Sequence, residues 1–154
     1  MNIKLLVMDV DGTLTDGQVY IGEKGEMVKA FDVKDGYGII KIQKFGIVPV
    51  IITGRQSLIL ERRAKELGIT ELYQGIKDNK LETLKQIAEK YNCTSEEIAY
   101  IGDDENDLEC IRFCKLSGCP EDAVDKVKES VTYVCRRCGG HGAVREFIES
   151  FVKW

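Results

Sequence analysis

Three observations predict an α/β fold: a doubly wound parallel sheet with a β-hairpin flap, forming a single domain over residues 1–154. Apolar runs of strand length recur along the chain, amphipathic helix-length segments alternate with them, and three of the runs end in polar clusters. A chain of 154 residues buries a sizeable core as one domain, and 44% hydrophobic with 31% charged residues is a globular balance.

The first run, Leu5-Leu6-Val7-Met8, reads as a buried parallel strand that Asp9-Val10-Asp11-Gly12-Thr13 stops. Alternation points Asp9 and Asp11 to one side and Val10 to the other. Carboxylates that close repel, and a metal cation relieves them. Residues 17–31 have a different texture. Val19-Tyr20-Ile21 and Met27-Val28-Lys29-Ala30-Phe31 flank Gly22-Glu23-Lys24-Gly25, which predicts a hairpin projecting over the aspartate loop.

Asp35 to Phe45 reads as a helix with Ile39, Ile40 and Ile42 inward and Gly46 ending it. Val48-Pro49-Val50-Ile51-Ile52 is the next buried strand and ends in Thr53-Gly54-Arg55. Ser57 to Leu67 is a helix capped by Ser57 and stopped by Gly68. Leu72-Tyr73-Gln74 is a short strand, and Asp78 to Tyr91 a helix with Leu81, Leu84, Ile87 and Ala88 inward. A turn at Ser95-Glu96-Glu97 leads to the strand Ile98-Ala99-Tyr100-Ile101, which ends in Gly102-Asp103-Asp104-Glu105-Asn106-Asp107. Short strands are expected near Leu116 and from Val131 to Val134, with a terminal helix from Ala143 to Val152.

Composition narrows the function classes. A net charge of −4 argues against a nucleic-acid surface, the apolar runs are too short to span a membrane, and no signal-peptide pattern opens the chain. A cytoplasmic location is the expectation. Reduced, buried thiols are then the favoured state of Cys93, Cys110, Cys114, Cys119, Cys135 and Cys138. Cys135-Arg136-Arg137-Cys138 has zinc-knuckle spacing, but Cys114 and Cys119 are too widely spaced for a compact second pair.

If the strands are parallel, the clusters at Asp9/Asp11, Thr53/Gly54 and Asp103 share one sheet edge, and Lys80 at a helix start can reach it. Three carboxylates, a hydroxyl beside a free amide, and one ammonium suit Mg²⁺ together with a phosphoryl group.

In this order the motifs resemble those of the haloacid dehalogenase superfamily of phosphatases. Asp9-Val10-Asp11-Gly12-Thr13 matches its first motif, Thr53 its second, Lys80 its third, and Gly102-Asp103-Asp104 with Asp107 its fourth. The resemblance implies a Rossmann-like sheet and a set of roles. Asp9 attacks phosphorus. Asp11 moves protons and lends its backbone carbonyl to the metal. Asp103 completes a metal set of Asp9, Asp11 and Asp103, with Asp104 and Asp107 behind it or orienting Lys80. Thr53, the Gly54 amide and Lys80 bind the phosphoryl oxygens.

The stretches between Thr13 and Thr53, and between Arg55 and Lys80, leave no room for a cap domain. Phe31-Asp32-Val33-Lys34-Asp35-Gly36-Tyr37-Gly38, Ile52-Thr53-Gly54-Arg55, Leu72-Tyr73-Gln74-Gly75 and Gly139-Gly140-His141-Gly142-Ala143-Val144-Arg145-Glu146 resemble the capless 3-deoxy-D-manno-octulosonate 8-phosphate phosphatases along nearly the whole chain. That resemblance implies a small sugar-acid phosphate as substrate. Its contacts fall on Asp32, Val33, Lys34, Asp35, Gly36, Thr53, Gly54, Arg55, Arg63 and Lys80. It also implies a homotetramer in which the hairpin and a neighbour's tail, Gly139–Glu146, cover each site.

The chain departs from that pattern at Ile40 and His141, where the family usually carries basic residues, and in its paired cysteines. Alternatives are a nine-carbon ulosonate or broader sugar phosphatase, and a non-catalytic subunit of a larger complex, as one related branch serves phenylphosphate carboxylase. A zinc-dependent nucleic-acid module on Cys135 and Cys138 is the remaining rival.

Overall fold

The computed structural model describes residues 2–154. All four side chains of β1 (Leu5–Met8) are buried, which places this strand inside a sheet covered on both faces. Its neighbours are β4 (Val48–Ile52) and β6 (Ile98–Ile101), both parallel to it. With β5 (Glu71–Tyr73), β7 (Leu116–Cys119) and β8 (Tyr133–Val134) they form a six-stranded, all-parallel sheet in the order β5-β4-β1-β6-β7-β8. The chain builds outward from β1 through β4 to β5, then returns to add β6, β7 and β8 on the other side. This reversal beside β1 makes a crevice at the carboxyl ends of the strands.

Alternation along β1 divides the core. Leu6 and Met8 face one layer with Ile39, Ile42, Leu60 and Phe147, from α1 (Val33–Gln43), α2 (Leu58–Glu66) and α6 (Ala143–Phe151). Leu5 and Val7 face the other with Leu84, Ile87, Ile111 and Val127, from α3 (Lys80–Lys90), α4 (Leu108–Phe113) and α5 (Asp125–Lys128).

A separate two-stranded hairpin, β2 (Tyr20–Gly22) and β3 (Gly25–Val28), fills the expected flap position between β1 and α1. No helix is long and apolar enough to cross a membrane among the described residues.

Some boundaries differ from expectation for physical reasons. Helix α1 starts at Val33 because the Asp32 carboxylate accepts hydrogen bonds from the amides of Lys34 and Asp35. Ile39 and Ile42 are fully buried, but Ile40 is 43% exposed, since each helical residue turns about 100° from the last. Leu81 is only half-buried. The short helices α4 and α5 lack a long apolar period and were not foreseen.

The start of the tail packs on the loop after β1. A Cβ on Gly139 would lie 2.0 Å from the Gly12 carbonyl oxygen, and the Gly140 amide donates to the Thr13 carbonyl at 3.1 Å. Glu146 accepts from the amides of Arg136 and Arg137. Gly139 and Gly140 thus brace the loop after β1 within their own chain, while His141 is exposed.

Candidate active site

The sheet brings the predicted edge together. Asp9 follows β1 and continues its ladder, its amide donating to the Ile101 carbonyl at 3.0 Å. The Val10 carbonyl then accepts from the amides of Thr13, Leu14 and Thr15, closing a tight turn that carries Asp11. The turn, rather than strand alternation, thus brings Asp11 to the site. Thr53 follows β4, buried, with its amide on the Tyr73 carbonyl at 2.9 Å. Asp103 follows β6 across from Gly12, whose φ of +92° suits glycine; a Cβ there would sit 2.0 Å from Asp103 Oδ2. Gly12 is therefore the space that lets two loops meet.

Lys80 opens α3, after Asn79 in the left-handed region at φ 60°. Its buried Nζ donates to Asp9 Oδ1 at 2.8 Å and Asp107 Oδ1 at 2.9 Å. Asp107 is saturated. Its Oδ1 also accepts from the Tyr100 hydroxyl at 2.7 Å, and its Oδ2 from the amides of Asp103 and Asp104 at 3.0 and 3.3 Å. Burial opposes the Lys80 charge, but Asp9 and Asp107 outweigh it and raise the lysine above its ordinary range. Burial is also the first cause raising Asp9 and Asp103; Asp107 adds to it at Asp9, and the Asp9 charge adds to it at Asp103.

Carboxylate oxygens of Asp9, Asp103 and Asp107 lie within 4.8 Å of one another, the one such metal-donor group among the described residues. Asp107 has its acceptor positions filled by hydrogen-bond donors, so Asp9 and Asp103 are the pair suited to a hard divalent cation. The cysteines make no comparable group. All six are free, and Cys135 Sγ is buried 3.4 Å from the Ala143 carbonyl oxygen. Burial holds the Cys110, Cys114, Cys119 and Cys135 thiols well above the ordinary range, so they stay protonated.

Above this group opens a cleft of about 210 Å³ lined by Asp9, Asp11, Thr53, Gly54, Arg55, Asp103, Asp104 and Asn106. The flap reaches its rim through two side chains. Lys29 Nζ donates to Asp11 Oδ1 at 2.5 Å, and Glu26 Oε1 accepts from Ser57 Oγ at 2.6 Å. Neither Glu26 nor Lys29 was singled out from sequence. The available signal was two opposite charges interrupting an otherwise apolar strand.

The profile of the haloacid dehalogenase-like hydrolases matches residues 75–148. The chain is 46% identical over 145 residues to the 3-deoxy-D-manno-octulosonate 8-phosphate phosphatase of Yersinia pestis, covering 94% of this chain and 77% of that protein. The chain belongs to this phosphatase family. The corresponding enzyme of Moraxella catarrhalis, solved in complex with magnesium ion, phosphate ion and a KDO molecule, superposes with a TM-score of 0.92 at 41% identity, covering 96% of this chain and 84% of that one. The cobalt-bound Haemophilus influenzae phosphatase superposes at 0.93 with 40% identity, over 97% and 86% of the two chains.

Within this octulosonate phosphatase fold, the remaining predicted sugar contacts lie elsewhere. Asp32, Asp35, Gly36 and Arg63 line a cavity of about 10 Å³, room for one water, together with Leu14 and Phe31. Asp35 is buried with Oδ1 accepting from the Arg145 amide at 2.8 Å, so that oxygen caps α6 while Oδ2 has no partner. Gly36 lies beneath Arg63, whose guanidinium sits 5.7 Å from the Phe31 ring centre. Val33 is exposed on α1, and Lys34 lines a separate groove of about 740 Å³ with Arg136, Arg137 and Arg145. One chain thus gathers Thr53, Gly54 and Arg55 at the cleft with Lys80 beneath it, but not Asp32–Gly36 or Arg63.

Proposed function

We propose that this cleft hydrolyses the phosphate monoester of a 3-deoxy-2-ulosonate, with 3-deoxy-D-manno-octulosonate 8-phosphate as the first-choice substrate. The observation that carries this reading is Asp9, held by buried Lys80 at the base of a cleft that also presents Asp11, Thr53 and Arg55. An Asp9 carboxylate oxygen attacks phosphorus as the ester P–O bond breaks, and Asp11 gives its proton to the departing alkoxide. Asp11 then takes a proton from water as that water attacks phosphorus. Inorganic phosphate leaves and the Asp9 carboxylate is restored. Thr53, the Gly54 amide and Lys80 hold the equatorial oxygens, where charge accumulates.

Asp9, Asp103 and the Asp11 carbonyl would hold Mg²⁺, whose chemistry when bound is to neutralise and orient the phosphoryl group. Arg55, at the cleft rim, suits the sugar carboxylate because its planar fork matches that group.

We assign the protein to the cytoplasm and to a homotetramer. In it, Asp32, Val33, Lys34 and Arg63 serve an edge facing a neighbouring chain, with Asp35 and Gly36 buried behind them. Exposed residues near His141 reach across, while Gly139 and Gly140 stay docked at home.

A second reading, a nine-carbon ulosonate 9-phosphate, is favoured by Ile40 standing where the resemblance expects a basic side chain. One assay decides between them: phosphate release from eight- and nine-carbon ulosonate phosphates and from hexose phosphates. The eight-carbon ester should give the highest kcat/KM, EDTA should stop turnover, and Mg²⁺ should restore it. Asp9→Asn should be inactive on every ester. Turnover retained by that variant, or a preference for hexose phosphates, would refute the proposal.

A further inference from the structure

Two charged flap residues link the start of α2 to Asp11 at the cleft. Strict alternation would put Glu26 and Lys29, three residues apart, on opposite sides of β3. The pairing prevents this. Tyr20 faces Val28 and Ile21 faces Glu26, so Met27 is an extra residue in the ladder. The bulge shifts the alternation by one and turns Glu26 and Lys29 inward together. Met27 and Val28 are left exposed.

The bridge runs from Ser57 to Asp11. Ser57, the N-cap of α2, donates Oγ–H to Glu26 Oε1 while its oxygen accepts from the Leu60 amide at 3.2 Å. Glu26 Oε2 accepts no hydrogen bond and lies 3.5 Å from Lys29 Nζ and 3.9 Å from Arg55 Nη2. Lys29 Nζ in turn holds Asp11 Oδ1. The Lys29 side chain is only 3% exposed, whereas that of Asp11 is 21% exposed and lines the cleft. The lysine is thus shielded, and the carboxylate it holds is not.

We propose that Lys29 is the positioning residue for Asp11, fixing one carboxylate oxygen so that the other faces the leaving group. Glu26 and Ser57 hold Lys29 in register. The proposal rests on the proton-transfer role given to Asp11 above. A side chain that must meet a leaving oxygen gains from being held in one rotamer, and an ion pair from a shielded lysine supplies that constraint.

Leaving-group dependence separates this role from a merely structural one. An alkyl ester needs a proton at its leaving oxygen, whereas 2,4-dinitrophenyl phosphate departs without one. kcat/KM reports phosphoryl transfer to Asp9 and excludes the later hydrolysis. Lys29→Met should therefore lower kcat/KM for the ulosonate phosphate about tenfold or more beyond its effect on dinitrophenyl phosphate. Glu26→Gln should do so more weakly, and Lys29→Arg should recover part of the loss. If Lys29→Met is poorly folded, Lys29→Arg and Glu26→Gln read the same ratio in chains that keep a cation or a neutral isostere. An equal loss on both esters would overturn the proposal. Asp11→Asn is the reference. If that variant shows no leaving-group dependence, the role of Asp11 itself is wrong; if it does and Lys29→Met does not, only the role of Lys29 fails.

Discussion

Asp107 illustrates how much of this site depends on residues that never meet substrate. Its two oxygens gather Lys80, the Tyr100 hydroxyl and the amides of Asp103 and Asp104, so one carboxylate aims the ammonium and shapes the Asp103 loop. A Cβ on Gly102 would lie 2.4 Å from Asp107 Cγ, so the adjoining backbone closes over it. Asn keeps the shape of Asp but turns an NH₂ toward at least one donor, leaving a buried polar group unpaired. Asp107→Asn should therefore lose about 1–3 kcal/mol in urea unfolding. It should also lower kcat by about tenfold or more, because Lys80 would keep only one charged partner. A variant with wild-type kcat would show that Asp9 alone suffices to hold Lys80. The motif order made Asp9, Asp103 and Lys80 legible from sequence. The resemblance offered Asp104 and Asp107 alike for backing Asp103 or orienting Lys80; that Asp107 takes four donors is a property of packing.

At the scale of elements, strands were easier to read than short helices. β1, β4 and β6 are fully or almost fully buried on both faces, so their apolar runs are unbroken. α4 and α5 have 6 and 4 residues, too few to show a period, and tertiary contacts hold them. The joint between α1 and α6 was also hidden, since its cap crosses 110 residues of sequence. Asp35 accepts from the Arg145 amide, while its Oδ2 is buried without a partner. Burial, helped by Asp32 and opposed by the Arg145 amide and Arg63, pushes this carboxyl up to about 6. The folded state therefore binds a proton that the unfolded chain has released across roughly pH 4–6, so stability falls as pH rises through that window and stays lower above it. Asp35→Asn removes this titration and should flatten the difference. Relative to the variant, wild type should lose about 2 kcal/mol between roughly pH 4 and pH 7 in urea melts. A wild type that instead gains on the variant with rising pH would show that the cap binds Asp35 better as a carboxylate.

At the scale of the molecule, the parallel sheet makes its carboxyl edge predictable, because every strand delivers its following residue to the same side. Closure of that edge was less legible, since no motif or period marks the hairpin residues that reach toward it. The hairpin is the clearest case. Tyr20, Ile21, Met27 and Val28 are all exposed on a two-stranded sheet, Ile21 by 70% and Met27 by 66%. A lone hairpin is marginal in water, and Lys29 and Glu26 anchor only its inner side. Exposed apolar side chains on both faces of so small a sheet mark an association surface. Ile21→Lys combined with Met27→Lys should convert the proposed oligomer to smaller species in size-exclusion chromatography with light scattering. If a neighbour's residues complete the sugar site, the same variant should lose most of its turnover of ulosonate phosphate while keeping dinitrophenyl phosphate hydrolysis, which needs only the cleft of one chain. An unchanged mass would remove the hairpin from the interface. A smaller species with full ulosonate turnover would mean that Arg55 and its neighbours select the sugar without help from a second chain.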